Sequence, residues 1–293
     1  MESVVRQSVK SSSLFSYIKY LYDQHQNNTL YMRRLKALKK IIQDKDLHTY
    51  FQPIVDLHSK QTMGFEALNR PEASDLFSNV DHFYEFVGQT DCVFLFECFC
   101  RNLSLQRFKE RLPGDIMHKD FMLFLNIHPN VLLDKKYHSG ETLQLLTELG
   151  IKPQQVVFEL TERSAVIDFV EFERVLSNYR SQGYRIAVDD VGSGYNSLKT
   201  LIYLKPEFIK LDRSLIQFID KNHEQQQLVT LLMKYAVQAE TKIIAEGIER
   251  QEELDYLHQI GIHYAQGYAL GKPAKDIHLG KIRMGDHENR GSH

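Results

Sequence analysis

Ile186-Ala187-Val188-Asp189-Asp190-Val191-Gly192-Ser193-Gly194-Tyr195 is the stretch that decides how the chain is read. Three apolar residues run into two adjacent carboxylates, and a Gly-x-Gly turn follows. A continuous apolar run that stops at glycines reads as a strand buried on both faces, as in a parallel sheet. Two acids at the end of such a strand repel each other, and each needs a partner once buried. A divalent cation would meet both needs. The plainer alternative is a solvated turn or helix cap, for which Asp, Gly and Ser are ordinary material.

On both sides of this stretch, apolar strands alternate with helical patterns. Residues 49–55 and 62–68 read as two strands joined by a polar turn at 58–60, and helical spacing covers about 80–111. Further strands are expected at 121–127, 155–160, 185–189, 207–211, 242–246 and 263–266. Helices are expected near 140–149, up to about 182, at 224–239 and at 251–259, with Gly150, Gly183 and Gly261 as stops. Such alternation implies a parallel sheet. About eight strands without a Gly-x-Gly-x-x-Gly fingerprint favour a (β/α)8 barrel over an open sheet. The first strand pair looks antiparallel, which makes the expected α/β barrel irregular. Residues 1–43 read as a helical or linker segment, 44–275 as the barrel domain and 276–293 as a tail, whose last residues Arg290-Gly291-Ser292-His293 resemble a cloning scar.

The bulk properties exclude several classes. In 293 residues, 43% are hydrophobic and 25% charged, with a net charge of −2, so nothing favours duplex nucleic acid or an anionic membrane. No apolar run is long enough to span a bilayer and no signal peptide is visible, so the expected compartment is the cytoplasm. The three cysteines, Cys92, Cys98 and Cys100, lack the spacing of a disulfide framework or a metal site and read as thiols of an apolar helix. Within the first segment, 31–42 reads as a basic amphipathic helix: a lead-in, a dimer helix or a link to another module, with residues 1–43 open to a protein partner.

Almost every expected strand ends on a polar residue: Glu66, Asn126, Glu159, Asp189 with Asp190, Lys210, Glu246 and Gln266. In a β/α barrel these ends form the mouth where chemistry takes place. Each residue alone has an ordinary reading as an edge acid, an ion-pair partner or a loop amide. Their recurrence at the same end of successive strands points to a site. Five are carboxylates, which cannot all ionise together without cations. An all-oxygen donor set suits Mg²⁺ or Mn²⁺ rather than Zn²⁺. The pattern therefore fits a two-metal phosphoester-hydrolysing site with a lysine among the acids.

The motifs resemble those of the EAL-domain cyclic di-GMP phosphodiesterases. Glu66-Ala67-Leu68 is that family's signature, and Phe51-Gln52-Pro53-Ile54-Val55 is similar to its opening motif. Glu159-Leu160-Thr161-Glu162, the Asp189–Ser197 loop, Ile209-Lys210-Leu211-Asp212, Ala245-Glu246-Gly247-Ile248-Glu249 and Gln266-Gly267-Tyr268 follow in order. The resemblance implies a barrel whose first strand runs against the others. It implies Mg²⁺ or Mn²⁺ held by Glu66, Asn126, Glu159, Asp189 and Asp190, with Lys210 on the hydrolytic water and Glu246 as general base. Gln52, Arg70, Asp212 and Gln266 would contact substrate. Glu162, Gly192, Gly194 and Glu249 would support the loop and the site. The implied reaction opens cyclic di-GMP to pGpG in a homodimer formed through the barrel; the alternative is a receptor or protein-interaction module without turnover. The chain departs from the family pattern at Asn69, Pro71 and Val191, where an apolar residue, a tryptophan and a phenylalanine are usual.

Overall fold

The computed structural model describes residue 25 and residues 27–117, 119–127, 139–161, 169–193 and 197–282. The chain divides into two compact units. One is drawn from residues up to Leu47 and from Pro71–Asp91; the other comprises His48–Arg70 and the chain from Cys92 onward.

The first unit contains helix α1, residues 27–44, and α2, Val80–Gly88. The sequence predicts α1 from its apolar spacing, and Leu38 on that face is fully buried. Tyr31 meets Phe86 edge-on with centroids 5.4 Å apart. Arg34 donates to the Leu76 carbonyl at 2.8 Å and lies over the Phe77 ring. Asn79 caps α2 by accepting from the His82 N–H.

The helical spacing read over about 80–111 is carried by two helices. Helix α3 begins at Val93 and runs to Arg111. The break has a local cause. Gly88 is a weak helix former, and Thr90 turns both its N–H and its hydroxyl back onto the Val87 carbonyl, at 3.0 and 2.8 Å. The break coincides with the boundary between the two units. Cys98 and Cys100 lie in α3 with Cys92 at its N-cap, and all three are free thiols.

The second unit is a closed eight-strand barrel ordered β1 to β8. Its strands are β1 Leu47–Asp56, β2 Thr62–Pro71, β3 Met122–Asn126, β4 Val156–Thr161, β5 Arg185–Val191, β6 Phe208–Leu211, β7 Lys242–Ala245 and β8 Tyr264–Ala265. β2 to β8 pair in parallel, whereas β1 pairs antiparallel with β8, Val55 opposite Ala265. The irregular barrel with one reversed strand is therefore present. The remaining α-helices among the described residues are α4 Ser139–Leu149, α5 Phe169–Ser181, α6 Ser197–Leu204, α7 Arg213–Ile216, α8 His223–Gln238 and α9 Gln251–Gln259. Among the described residues no helix is long and apolar enough to cross a membrane.

Strand alternation sorts the core into two layers. Residues such as Phe65, Leu123, Phe158, Ile186 and Ile209 join the large cluster shared with the helices. Ile54, Phe124, Val157, Ala187, Phe208 and Ile244 form a separate cluster, one residue from each of six strands. These residues fill the barrel interior and make the floor of the mouth.

Candidate active site

The period of two places the polar residues above that floor. On the parallel strands the residue two positions after Phe124 is Asn126; after Val157, Glu159; after Ala187, Asp189; after Phe208, Lys210; and after Ile244, Glu246. The reversed strand β1 uses the opposite offset, and Gln52 precedes Ile54. β2 and β8 supply Glu66 and Gln266. Asn126, Glu159, Asp189, Lys210 and Glu246 thus converge because each is the next inward position beyond an apolar one.

Lys210 is the centre of this layer. Its side chain is 1% exposed, and Nζ lies 2.8 Å from Glu159 Oε1, 2.9 Å from Glu246 Oε1, 3.2 Å from Asp189 Oδ1 and 3.4 Å from Glu66 Oε2. Glu66 is further fixed by Gln266 Nε2, which donates to Oε2 at 2.6 Å, and by Asn126 Nδ2, which donates to Oε1 at 3.2 Å. Gln266 Nε2 also reaches Gln52 Oε1, and Gln52 Nε2 donates to the Gly271 carbonyl.

Asp189 and Asp190 reach the cluster together because β5 is irregular. The register between β5 and β6 shifts between Val188 and Val191, and Asp190 has a φ of +57°. A regular strand would send neighbouring side chains to opposite faces; a bulge re-aims one of them. The Asp190 N–H donates to Asp189 Oδ1 at 2.9 Å. Gly192 follows at a φ of +106°, a conformation side chains rarely adopt, and a Cβ there would come within 2.4 Å of Leu215 Cδ1. Val191 is buried in the core and its carbonyl accepts from the Asp212 N–H.

The charge states follow from this packing. At Glu66 burial opposes ionisation, but Lys210 and the hydrogen bonds from Gln266 and Asn126 outweigh it, so the carboxyl lies below its usual range. Burial pushes Glu159 and Glu246 well up, against the pull of Lys210. Asp190 is raised from 3.8 to about 6 by burial and by Asp189. For Lys210, burial alone would lower the value; its carboxylate neighbours overcome this and hold the ammonium charged well above the ordinary range.

One ammonium cannot neutralise this many acids, and Glu159 Oε2 has no hydrogen-bond partner among the described residues. Carboxylate oxygens of Glu66, Glu159 and Asp189 lie within 4.8 Å of one another, as do those of Asp189, Asp190 and Glu246. Two clusters that share Asp189, all of hard oxygen donors with one orphaned oxygen, fit divalent cations such as Mg²⁺ or Mn²⁺.

A pocket of about 270 Å³ lies over the cluster, lined by Gln52, Glu66, Glu246 and Gln266 and by Asp212 and Glu249 at its rim. Asp212 also caps α7 by accepting from the Ser214 N–H. Arg70 is placed differently: it is exposed, with its guanidinium 5.6 Å from the Tyr50 ring centroid. Glu162 and Gly194 lie outside the described residues. Arg213, Gly247 and Tyr268 line the pocket as well. Of these, Arg213 had no signal of its own in the sequence beyond following the lysine motif.

The family model of the EAL domain matches residues 35–273. The chain belongs to the EAL domain family. Among curated relatives of this EAL domain, the probable cyclic di-GMP phosphodiesterase PdeB of Escherichia coli K12 is 29% identical over 257 residues, covering 84% of the chain and 47% of PdeB. The chain thus spans less than half the length of that relative. Among solved structures, the manganese and cyclic di-GMP complex of Klebsiella pneumoniae BlrP1 superposes with a TM-score of 0.69 at 25% identity, covering 80% of this chain and 58% of that one. A standalone EAL protein of Vibrio cholerae O395 in its c-di-GMP-bound form has a TM-score of 0.69 and 26% identity, covering 79% of this chain and 94% of that one.

Proposed function

We propose that this EAL domain hydrolyses cyclic di-GMP to linear pGpG. The observation that carries the reading is the buried Lys210 ammonium shared by Glu66, Glu159, Asp189 and Glu246, with two carboxylate clusters meeting at Asp189. Glu66, Asn126, Glu159, Asp189 and Asp190 would hold Mg²⁺ or Mn²⁺. Bound there, such ions supply an acidified water and positive charge against the developing phosphate charge.

The chain's own residues do the rest. Lys210, fixed by four acceptors, offers its ammonium to the attacking water or to a phosphate oxygen. Glu246 lines the pocket 2.9 Å from Lys210, and its raised affinity for a proton suits the role of general base. Gln266 and Asn126 hold Glu66 in orientation. Gln52, Asp212 and Gln266, together with Arg70 at the end of β2, would contact the nucleotide, and Glu162, Gly192, Gly194 and Glu249 would support the loop and the site. The water oxygen bonds to phosphorus as Glu246 takes its proton, the P–O3′ bond breaks, O3′ takes up a proton from solvent to leave as the 3′-hydroxyl, and the phosphate stays on the 5′ side.

A homodimer through the barrel and a partner at residues 1–43 belong to the same proposal. In support of the dimer, Ile202 and Tyr203 of α6 and Leu228, Leu231 and Val237 of α8 are exposed apolar side chains, and the two helices are joined by Tyr235 Oη donating to the Leu201 carbonyl.

Hydrolysis of cyclic di-GMP with Mg²⁺ or Mn²⁺, against an EDTA control, tests the function. Metal-dependent release of pGpG, abolished in Glu66→Ala and Lys210→Ala proteins that still fold, is expected. Tight binding without turnover would instead identify a receptor.

A further inference from the structure

The pocket presents a difficulty to its proposed ligand. Glu66, Asp212, Glu246 and Glu249 line it, and a cyclic dinucleotide carries two phosphates. Lys210 offers little relief at the rim, because it is 1% exposed and already faces four carboxylates. Among the described residues lining the pocket, the cation is Arg213.

The geometry of Arg213 is unusual in two respects. Its stem lies across Gly247: a Cβ on Gly247 would fall 2.5 Å from Arg213 Cγ, and Gly247 has a φ of +67°. The loop after β7 therefore carries no side chain where the arginine rests. The guanidinium in turn holds Glu249, with Nη2 3.1 Å from Oε1 and the two side chains 49% and 42% exposed. An ion pair that open to water adds little stability, so the guanidinium can leave Glu249 at small cost. Its planar fork matches two oxygens of a phosphate better than the single carboxylate oxygen it meets here.

We infer that Arg213 is the phosphate-binding residue at the rim of this pocket, distinct from the buried Lys210 and the cation site beneath, and that Glu249 holds it there until a phosphate oxygen of a cyclic dinucleotide takes the carboxylate's place. The inference rests on the cyclic dinucleotide reading of the site. It gives Glu249 a specific task, that of keeping a cation over an acidic pocket.

The test is a titration of the full chain with cyclic di-GMP, with Ca²⁺ in place of Mg²⁺, at several salt concentrations. Arg213→Ala is expected to weaken binding about tenfold or more, Arg213→Lys to weaken it less, and the salt dependence of binding to flatten in Arg213→Ala. Unchanged melting temperatures would show that both variants fold; the half-exposed side chain gives no reason for loss of fold. Affinity within twofold of wild type in Arg213→Ala overturns the inference. A loss of affinity with unchanged salt dependence overturns the phosphate assignment, because it would mean that Arg213 reads an uncharged part of the ligand. The outcome separates from that of the hydrolytic reading: wild-type protein that binds cyclic di-GMP without turning it over ends the latter and leaves the Arg213 titration decisive. Wild-type protein that does not bind cyclic di-GMP ends both.

Discussion

A buried ammonium with four carboxylates within 3.4 Å is stable only as a unit. Removing the one cation leaves the acids to repel each other in a poorly solvated site, and losing one partner of a buried ion pair costs about 3–5 kcal/mol. Lys210→Met in metal-free protein at pH 7 is expected to lose stability in that range by urea titration. Saturating Mn²⁺ should shrink the loss, because the ions supply the missing charge. Equal losses with and without Mn²⁺ would show that the cluster is not a cation site. Asn126, Glu159, Asp189, Lys210 and Glu246 were legible because each follows an apolar residue at the strand period. Asn69 shows the opposite case. Where the family usually has an apolar residue, Asn69 accepts from Thr49 Oγ1 at 2.7 Å and donates to Ser104 Oγ at 2.9 Å. Arg107 adds a bond to the same threonine. Those partners lie 20 and 35 positions away along the chain, so the sequence displays the substitution without its compensation.

At the scale of the element, β5 decides whether two acids can act together. The adjacency of Asp189 and Asp190 is plain in the sequence, and so is the glycine turn after them. What the strand period would predict is one acid in the mouth and the other outside it. The bulge between Val188 and Val191 and the left-handed backbone at Asp190 bring both in, and neither is encoded by a residue type that announces it. Gly192 is the residue that permits the turn. Gly192→Ala places a Cβ 2.4 Å from Leu215 Cδ1 in a backbone conformation that alanine disfavours, at a cost of about 1–3 kcal/mol. The expected outcome is a lower melting temperature together with weaker Mn²⁺ binding by calorimetry, since Asp189 and Asp190 shift with the turn. Trimming the opposing side chain in Gly192→Ala/Leu215→Ala removes the clash but not the backbone strain, so it should recover only part of the lost Mn²⁺ affinity, while the cavity left by buried Leu215 lowers the melting temperature further. Full recovery of Mn²⁺ affinity in the double variant would show that the clash alone matters. The break within the helical spacing read over 80–111 was open to a closer reading: Gly88-Gln89-Thr90-Asp91 interrupts the apolar pattern, and the bonds from Thr90 to the Val87 carbonyl close the first helix there.

For the whole molecule, the barrel stores the repulsion of its own site, and that repulsion sets how stability responds to pH and metal. In metal-free protein Asp190 is raised from 3.8 to about 6, so the folded state holds that proton more tightly than the unfolded chain. A raised carboxyl contributes stability that is fully present below its unfolded value and lost as pH rises through its folded value. Glu159 and Glu246 act in the same direction, whereas Glu66, held below its usual range, loses its contribution only as pH falls. Across pH 4 to 6, then, metal-free wild-type protein should lose stability relative to Asp190→Asn, which has no such proton to give up. Divalent cations reverse the trend, because they bind the deprotonated oxygens and release the protons that the folded state had kept. The melting temperature should rise on adding Mn²⁺, by an amount corresponding to about 2.7 kcal/mol where the ion is at a hundred times its dissociation constant, and at one fixed Mn²⁺ concentration by more at pH 7.5 than at pH 5.5. Thermal melts of both proteins at steps from pH 4 to 7.5, with Mn²⁺ and with EDTA, measure the two effects together. A gain on adding Mn²⁺ that does not grow with pH would mean that the ion does not displace these protons. A wild-type curve parallel to that of Asp190→Asn between pH 4 and 6 would remove Asp190 from the set of raised acids.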